Sequence, residues 1–422
     1  MRVLHIIHQY LPENVGGTEL YTHWLIQELN QRGHQNALFY RRSGTGDSLE
    51  SRTDESGTQI WAACSGTITP AIRFRSTFGQ KYLDHAFRQV LAQVSPDVIH
   101  IQHLMGLPVA VADAILQTGI PYVITLHDYW WICANAQLFH NYSRKVCSGP
   151  KLYFNCARCA LARADHPKLW PAVPPLAALM AWRNLSLRRI FRNAARLIAP
   201  TEYVAKWYAE HGASPERVVV VPHGVDSPEL PPRPARMPGD PVRFAYIGGL
   251  SRQKGVHVLV EAFSGIEKGA ELWIAGDESA NQAYSASLHE LASLQVCFLG
   301  KLPRAEVWEL LARVDVVVVP ALWCETFSLI VSEAFAAGAP VIASLIGPLG
   351  ERVSDGVDGL LVPPGDVNAL REAMLRLIRD PALLLKLRAG IERPATVASH
   401  AASIESVYRS ALLKPGVIES GA

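Results

Sequence analysis

The chain has 422 residues, 49% of them apolar and 18% charged, with 40 basic and 38 acidic side chains for a formal net charge of +2. It is longer than one core supports, too apolar for a disordered or fibrous chain, and too balanced for a general nucleic-acid binder. The charge is unevenly spread. Residues 1–222 hold 22 Lys/Arg and 15 Asp/Glu, whereas residues 223–422 hold 18 and 23, so the first half is expected to face something anionic. No apolar run reaches the ~20 residues that cross a bilayer. The opening segment is too short and polar for a signal peptide. Seven cysteines, an odd count, fit a reducing compartment. The expected setting is cytoplasmic.

In chain order, Val3–Ile7 reads as a strand ending in His8, followed by Gly16-Gly17 and a helix over Thr18–Gln31 that Gly33 stops. Asp97–Ile101 and Pro121–Leu126 are further strands, the second ending at His127-Asp128. Arg196–Ala199 and Val218–Val221 close the series. Strands without polar alternation, separated by helices, predict a parallel sheet covered on both faces. Residues 222–241 contain seven prolines, Pro222, Pro228, Pro231, Pro232, Pro234, Pro238 and Pro241, and read as a linker. The alternation then restarts: strand Val242–Ile247, Gly248-Gly249, helix Gly255–Phe263, and strands Leu272–Ala275, Val296–Leu299, Asp315–Pro320 and Pro340–Ala343, with helices at about 303–312, 328–337 and 398–413. The expected architecture is α/β, with two doubly wound, Rossmann-like domains over 1–221 and 242–397. A terminal helical segment, 398–422, is expected to run back to the first domain. Open α/β sheets bind ligands at the carboxyl ends of their strands, so a cleft between two such ends is the expected site.

The densest motif is Glu325-Thr326-Phe327-Ser328-Leu329-Ile-Val-Ser-Glu333. Its loop runs into a helix N-terminus, whose free N–H groups and dipole suit a diphosphate or sugar oxygens. Glu333, inside that helix, is suited to accept from two vicinal hydroxyls, and Glu325 to bind sugar hydroxyls. A solvated helix glutamate is the alternative for Glu333. Lys254, at a helix start, is electrostatically misplaced unless an anion is bound there.

These residues resemble a known family. The E-x7-E element, with Gly338-Ala-Pro-Val-Ile-Ala-Ser344 after its helix, is similar to the retaining glycosyltransferases of family 4, which have the GT-B fold. Residues 246–263, 272–277 and 355–366 resemble the family's phosphate-binding strand–loop–helix, its following strand and its late turn, and Gly16-Gly17-Thr18-Glu19 its G-G-x-E loop. The resemblance implies a nucleotide-diphosphate-sugar donor and metal-independent transfer with retention. It implies that Lys254 neutralises the leaving diphosphate and that Gly16 and Gly17 approach the donor phosphates. It implies that His127 contacts the donor sugar and that Glu325, Thr326, Phe327, Ser328, Leu329 and Glu333 line the donor site. Many relatives carry Arg where Gly249 stands, and Arg252 is the substitute considered. His223, where relatives have Asn, reads as linker structure. The acceptor implied is a glycan or polyprenyl-linked glycan of bacterial surface polysaccharide. A nucleotide-sugar 2-epimerase and a non-catalytic nucleotide-sugar-binding protein are the other readings.

Two further features stand apart. Cys133, Cys147, Cys156 and Cys159 lie in a segment, 128–195, that reads as an insertion; four thiolates would make a structural zinc site, and free or buried thiols are the alternative. Residues 161–196 carry seven Lys/Arg against one acid, Asp165. There Leu187, Ile190, Phe191 and Ala194 fall on one helical face and Arg188, Arg192 and Arg196 on another, a pattern that suits an anionic membrane surface or a helix packed on its domain. No nucleic-acid recognition motif accompanies the charge.

Overall fold

The computed structural model describes residues 1–231 and 239–413. Pro232, Pro234 and Pro238 of the proline-rich stretch, and the end of the 398–422 segment, lie outside the described residues. The chain divides into two compact units. The first comprises Met1–Ser143, Cys147–Gly224 and Val397–Ala422, and the second Arg144–Val146 and Val225–Thr396. Among the described residues no helix is long and apolar enough to cross a membrane.

The first unit contains strands β1 (Arg2–Ile6), β2 (Gln35–Arg42), β3 (Ser48–Thr53), β4 (Gln59–Cys64), β5 (Val98–Ile101), β6 (Tyr122–Thr125), β7 (Arg196–Ala199) and β8 (Val218–Val220). Its helices are α1 (Gly17–Gln31), α2 (Pro70–Ser76), α3 (Lys81–Val94), α4 (Val109–Thr118), α5 (Phe154–Arg163), α6 (Val173–Asn193) and α7 (Glu202–Glu210). The sheet order is β3-β4-β2-β1-β5-β6-β7-β8, parallel throughout except for the β3–β4 hairpin. Strands β1, β5 and β6 are almost wholly buried, which is why they read as short unbroken apolar runs. Leu187, Ile190, Phe191 and Ala194 are buried, so the apolar face of α6 is spent on the domain and α6 acts as the crossover from β6 to β7. The material added between those strands is the irregular chain and α5 that precede α6.

The second unit contains β9 (Val242–Ile247), β10 (Ala270–Ala275), β11 (Val296–Gly300), β12 (Val316–Val319), β13 (Val341–Ser344) and β14 (Gly359–Val362). Its helices are α8 (Val256–Ser264), α9 (Gln282–Leu291), α10 (Arg304–Arg313), α11 (Leu329–Ala336), α12 (Leu349–Arg352), α13 (Val367–Arg379) and α14 (Pro381–Ala389). The sheet is parallel in the order β11-β10-β9-β12-β13-β14. One apolar layer centres on Phe244, Leu259, Phe263 and Met374, the other on Leu311, Val317, Val331 and Ala343.

The last helix, α15 (Val397–Leu412), belongs to the first unit. Ala401, Ile404 and Tyr408 pack with Val3, Leu25 and Val123. His400 bonds the Pro222 carbonyl (2.8 Å) and the Tyr21 hydroxyl (3.0 Å), and the Tyr408 hydroxyl bonds His100 Nδ1 (2.6 Å).

Candidate functional site

In each sheet the strand order reverses beside the unit's first strand, and loops that leave neighbouring strands in opposite directions open a crevice there. In the second unit that point lies between β9 and β12. Lys254 comes from the loop after β9 and Glu325 from the loop after β12. Lys254 Nζ donates to Glu325 Oε1 at 2.6 Å, with the carboxylate side chain 7% exposed and the lysine 31%. The lysine also lies 5.4 Å from the Trp323 ring. The two loops are tied by Leu322 N–H to Gln253 O at 2.8 Å. Gly255, at φ +73°, allows this approach: a Cβ there would overlap the Pro320 carbonyl.

Glu333 is buried on α11 and pairs with Arg304 Nη2 of α10 at 2.7 Å, the guanidinium lying 5.0 Å from the Trp308 ring. Glu333 is therefore no solvated helix residue. Ser328 precedes α11 at φ +64°, a conformation a non-glycine residue adopts only when its surroundings enforce it. Its hydroxyl is buried and has no hydrogen-bond partner among the described residues. Thr326 and Phe327 are buried and Leu329 is half-buried. The Arg352 guanidinium lies 3.7 Å from the Phe327 ring and donates to Ser332 Oγ at 2.6 Å. Arg252 is exposed; burial first, and the Arg252 charge second, hold the His257 imidazole below its ordinary range. Gly249 contributes its carbonyl to the Tyr246 hydroxyl (2.8 Å).

In the first unit the reversal falls at β1 and β5. Gly16 is the extended residue before α1, with no side chain capping the helix, and a Cβ there would meet the Glu19 carboxylate. Glu19 is buried, which raises its pKa, and lies 3.7 Å from His8 Nε2. His127, just past β6, bonds Gln102 Oε1 through Nε2 at 2.8 Å and packs against the Tyr21 ring at 4.7 Å. Burial pushes its pKa down to about 3, so the ring is neutral. His103 bonds Asp128 at 2.9 Å and packs against His8 at 4.5 Å with the rings tilted by 46°.

Gly16, Gly17 and His127 thus share the carboxyl edge of one sheet, and Lys254, Glu325 and Glu333 that of the other. Among the described residues no hydrogen bond or ion pair joins Arg252 to the Lys254–Glu325 pair. Four neighbours were missed from sequence: His8, Gln102, His103 and His223. The first three all lie one or two residues past a strand, a signal usable once β1, β5 and β6 are known to be adjacent. His223, expected as linker structure, is buried against Tyr21 (4.3 Å) and His127 (5.3 Å).

Among the described residues no three His, Cys, Asp or Glu side chains are grouped to hold a metal ion. Cys133, Cys147, Cys156 and Cys159 form no such group, although Cys133, Cys147 and Cys159 lie close enough to Cys156 to help raise its thiol pKa after burial. The Cys147 sulphur takes Gly149 N–H (3.4 Å) and Asn155 Nδ2–H (3.5 Å), and Cys156 turns to Asn155 Oδ1 (3.7 Å). Burial pushes the Cys156 and Cys159 thiols up to about 12 and about 11, which favours the protonated form.

The fold is that of a GT-B glycosyltransferase. Residues 15–228 match the model "Glycosyltransferase Family 4" and residues 232–394 the model "Glycosyl transferases group 1". The chain belongs to glycosyltransferase family 4. It is 27% identical to a glycogen synthase of Mycobacterium tuberculosis, an alignment covering 90% of this chain and 87% of that protein. It is 33% identical to a D-inositol 3-phosphate glycosyltransferase of Mycolicibacterium paratuberculosis over 58% of this chain and 54% of that one. Similar solved structures include sucrose-phosphate synthase from Thermosynechococcus elongatus (TM-score 0.75, 20% identity, 97% of this chain and 98% of that one). They also include Anabaena HepE in complex with UDP and glucose (TM-score 0.67, 18% identity, 97% and 99%).

Proposed function

We propose that this glycosyltransferase moves a sugar, with retention, from a nucleoside-diphosphate sugar to a hydroxyl of a glycan or polyprenyl-linked glycan, in the assembly of bacterial surface polysaccharide. The observation that carries the reading is the Lys254–Glu325 pair at 2.6 Å beside the buried Glu333. A cation in the crevice stabilises the charge that develops on a departing diphosphate, the part a metal ion plays elsewhere. The amides of Ser328 and Leu329 at the start of α11 add to it. Glu333 accepts from vicinal hydroxyls of the nucleoside, and Glu325 from hydroxyls of the transferred sugar. The first unit takes the acceptor, with His127 beside the sugar and Gly16-Gly17 close to the phosphates. The donor class agrees with HepE, whose structure holds UDP and glucose.

A lipid-linked acceptor places the enzyme at the cytoplasmic face of a membrane. The surface of α6 supports this. Its buried face is taken by the core, but Leu179, Trp182 and Leu185 are exposed, as are Leu169 and Trp170 before it. Arg188, Arg189 and Arg192 are exposed on the same helix. Exposed aromatic and aliphatic side chains among arginines suit an anionic lipid surface.

The test is a nucleotide-release assay with UDP-, GDP-, ADP- and dTDP-sugars and a panel of glycan and polyprenyl-linked acceptors. One donor class should be turned over in an acceptor-dependent way, with the anomeric configuration kept in the product. Turnover of a nucleotide sugar to its 2-epimer, or donor binding without any turnover, would refute the reading.

A further inference from the structure

The first unit holds a line of buried polar side chains that the transfer chemistry does not use. It starts at the turn between β3 and β4. There the Asp54 carboxylate accepts from the Ser56 hydroxyl (2.7 Å) and from the N–H groups of Ser56 and Thr58 (both 3.0 Å). Having donated to Asp54, the Ser56 hydroxyl can only accept from Asn30, whose Nδ2 lies 2.9 Å from it and 2.8 Å from Thr58 Oγ1. Asn30 Oδ1 then faces the other way and accepts from Asn36 Nδ2 at 2.7 Å. Asn36 Oδ1 accepts from His5 Nε2–H at 3.1 Å. A neutral imidazole has one proton, so His5 Nδ1 accepts, and it does so from Gln102 Nε2 at 3.3 Å. That turns Gln102 Oε1 toward His127 Nε2, 2.8 Å away. His5, Gln102 and Asn36 are at most 5% exposed.

Amide orientations and histidine tautomers are ordinarily interchangeable. Here a carboxylate at one end forces each donor and acceptor in turn. We propose that Gln102, His5, Asn36 and Asn30 are positioning residues that act through His127: their hydrogen bonds run in one direction across the sheet and fix its imidazole as the Nε2–H tautomer, with Nδ1 as the lone-pair nitrogen. This rests on the reading that His127 lies beside the transferred sugar. In that tautomer the second ring nitrogen is an acceptor; the other tautomer would make it a donor and reverse the polarity His127 presents to its surroundings. Burial supports a neutral line, since His5 is pushed down to about 4 and His127 to about 3.

The experiment is long-range proton–nitrogen NMR on the full chain labelled with ring-¹⁵N histidine, with the His127 signals assigned from the His127→Gln variant. The wild type should show His127 protonated at Nε2 without any ligand. His5→Leu interrupts the line, and should mix the tautomers of His127 and lower kcat/KM about tenfold or more. His5→Gln, whose amide offers one acceptor and one donor in the ring's place, should restore both. A wild-type His127 protonated at Nδ1 overturns the proposal, and does so even if a variant fails to fold. So does an unchanged tautomer and rate in folded His5→Leu. Failure of the functional reading is seen separately, as absence of donor turnover by the wild type.

Discussion

Replacing Glu333 by alanine tests the proposed donor site, because the carboxylate is buried in the second unit and pairs with the Arg304 side chain. A donor at 100 times its dissociation constant stabilises the native state by about 2.7 kcal/mol. The second unit is essentially Val225–Thr396. At ~2.1 cal/mol/K per residue, about 170 residues give ~0.36 kcal/mol/K, so the unit's transition should rise by about 7 °C. A hydrogen bond to a charged group contributes ~1.5–3 kcal/mol, so its loss weakens binding by roughly 12- to 160-fold. At the same donor concentration the variant then retains about 0.3–1.3 kcal/mol, a shift of roughly 1–4 °C. The assay is a thermal melt of both proteins with UDP-, GDP-, ADP- and dTDP-sugars, each variant referred to its own ligand-free melting temperature so that the stranded Arg304 does not enter. Equal shifts in wild type and Glu333→Ala would refute the assignment of Glu333. No shift of the wild type with any donor would refute the donor site itself.

Lys254→Ala should lower kcat by about 10²–10³ with donor, as loss of one charge-stabilising group at a leaving oxygen does; a fall below tenfold would dismiss its role at the diphosphate. Gly255→Ala should destabilise the second unit by roughly 3 kcal/mol or more, through positive φ and the overlap with the Pro320 carbonyl, and a urea midpoint like the wild type's would contradict that geometry. Buried His5 and His400 are both pushed down to about 4. The unfolded chain therefore takes up protons as pH falls below ~6.5 while the native state does not, and stability present above pH ~6.5 is lost progressively toward pH ~4, by several kcal/mol in all. Urea midpoints of the first unit at pH 7.5 and 5 test this, and identical midpoints would count against it. Vesicles rich in anionic lipid should retain the protein and zwitterionic ones should not, with retention lost in Trp170→Ala/Trp182→Ala and in high salt; equal retention by both vesicle types would remove the basis for a lipid surface.

The alternation of apolar runs and helices was legible because the strands that matter are buried on both faces. It failed over residues 35–64, where β2, β3 and β4 lie. The run Ala37–Tyr40 is short and bounded by Asn36 and Arg41, which look like surface residues. Arg41 is in fact 4% exposed, held by Ser65, Ser76 and the Gly106 carbonyl. Such bonds join residues far apart in sequence and leave no periodic trace. The residues gathered at the crevice of the second unit were legible for the opposite reason. Glu325 to Glu333 is one contiguous stretch, and Lys254 is a cation where a helix start disfavours one. In the first unit His127 could be placed at a strand end, but its surroundings, His8, Gln102, His103 and His223, become neighbours only through sheet order. For the cysteines, spacing left a common centre and free thiols both open; in the structure the sulphurs of Cys147 and Cys156 bond to local amide groups of Gly149 and Asn155, while Cys133, Cys147 and Cys159 add to burial in raising Cys156.

The return of α15 to the first unit makes that unit discontinuous: the second unit is inserted between Gly224 and Val397. On the ribosome the inserted unit has its whole sequence first. The unit that begins the chain must wait for its last helix, and until then His100, Tyr21 and Val3 lack the partners that Tyr408, His400 and Ile404 supply. A fragment ending at Gly224 is therefore no model of the first unit. A release factor that acts at codon 397 would leave a protein whose second unit has its whole sequence and whose first unit is unfinished.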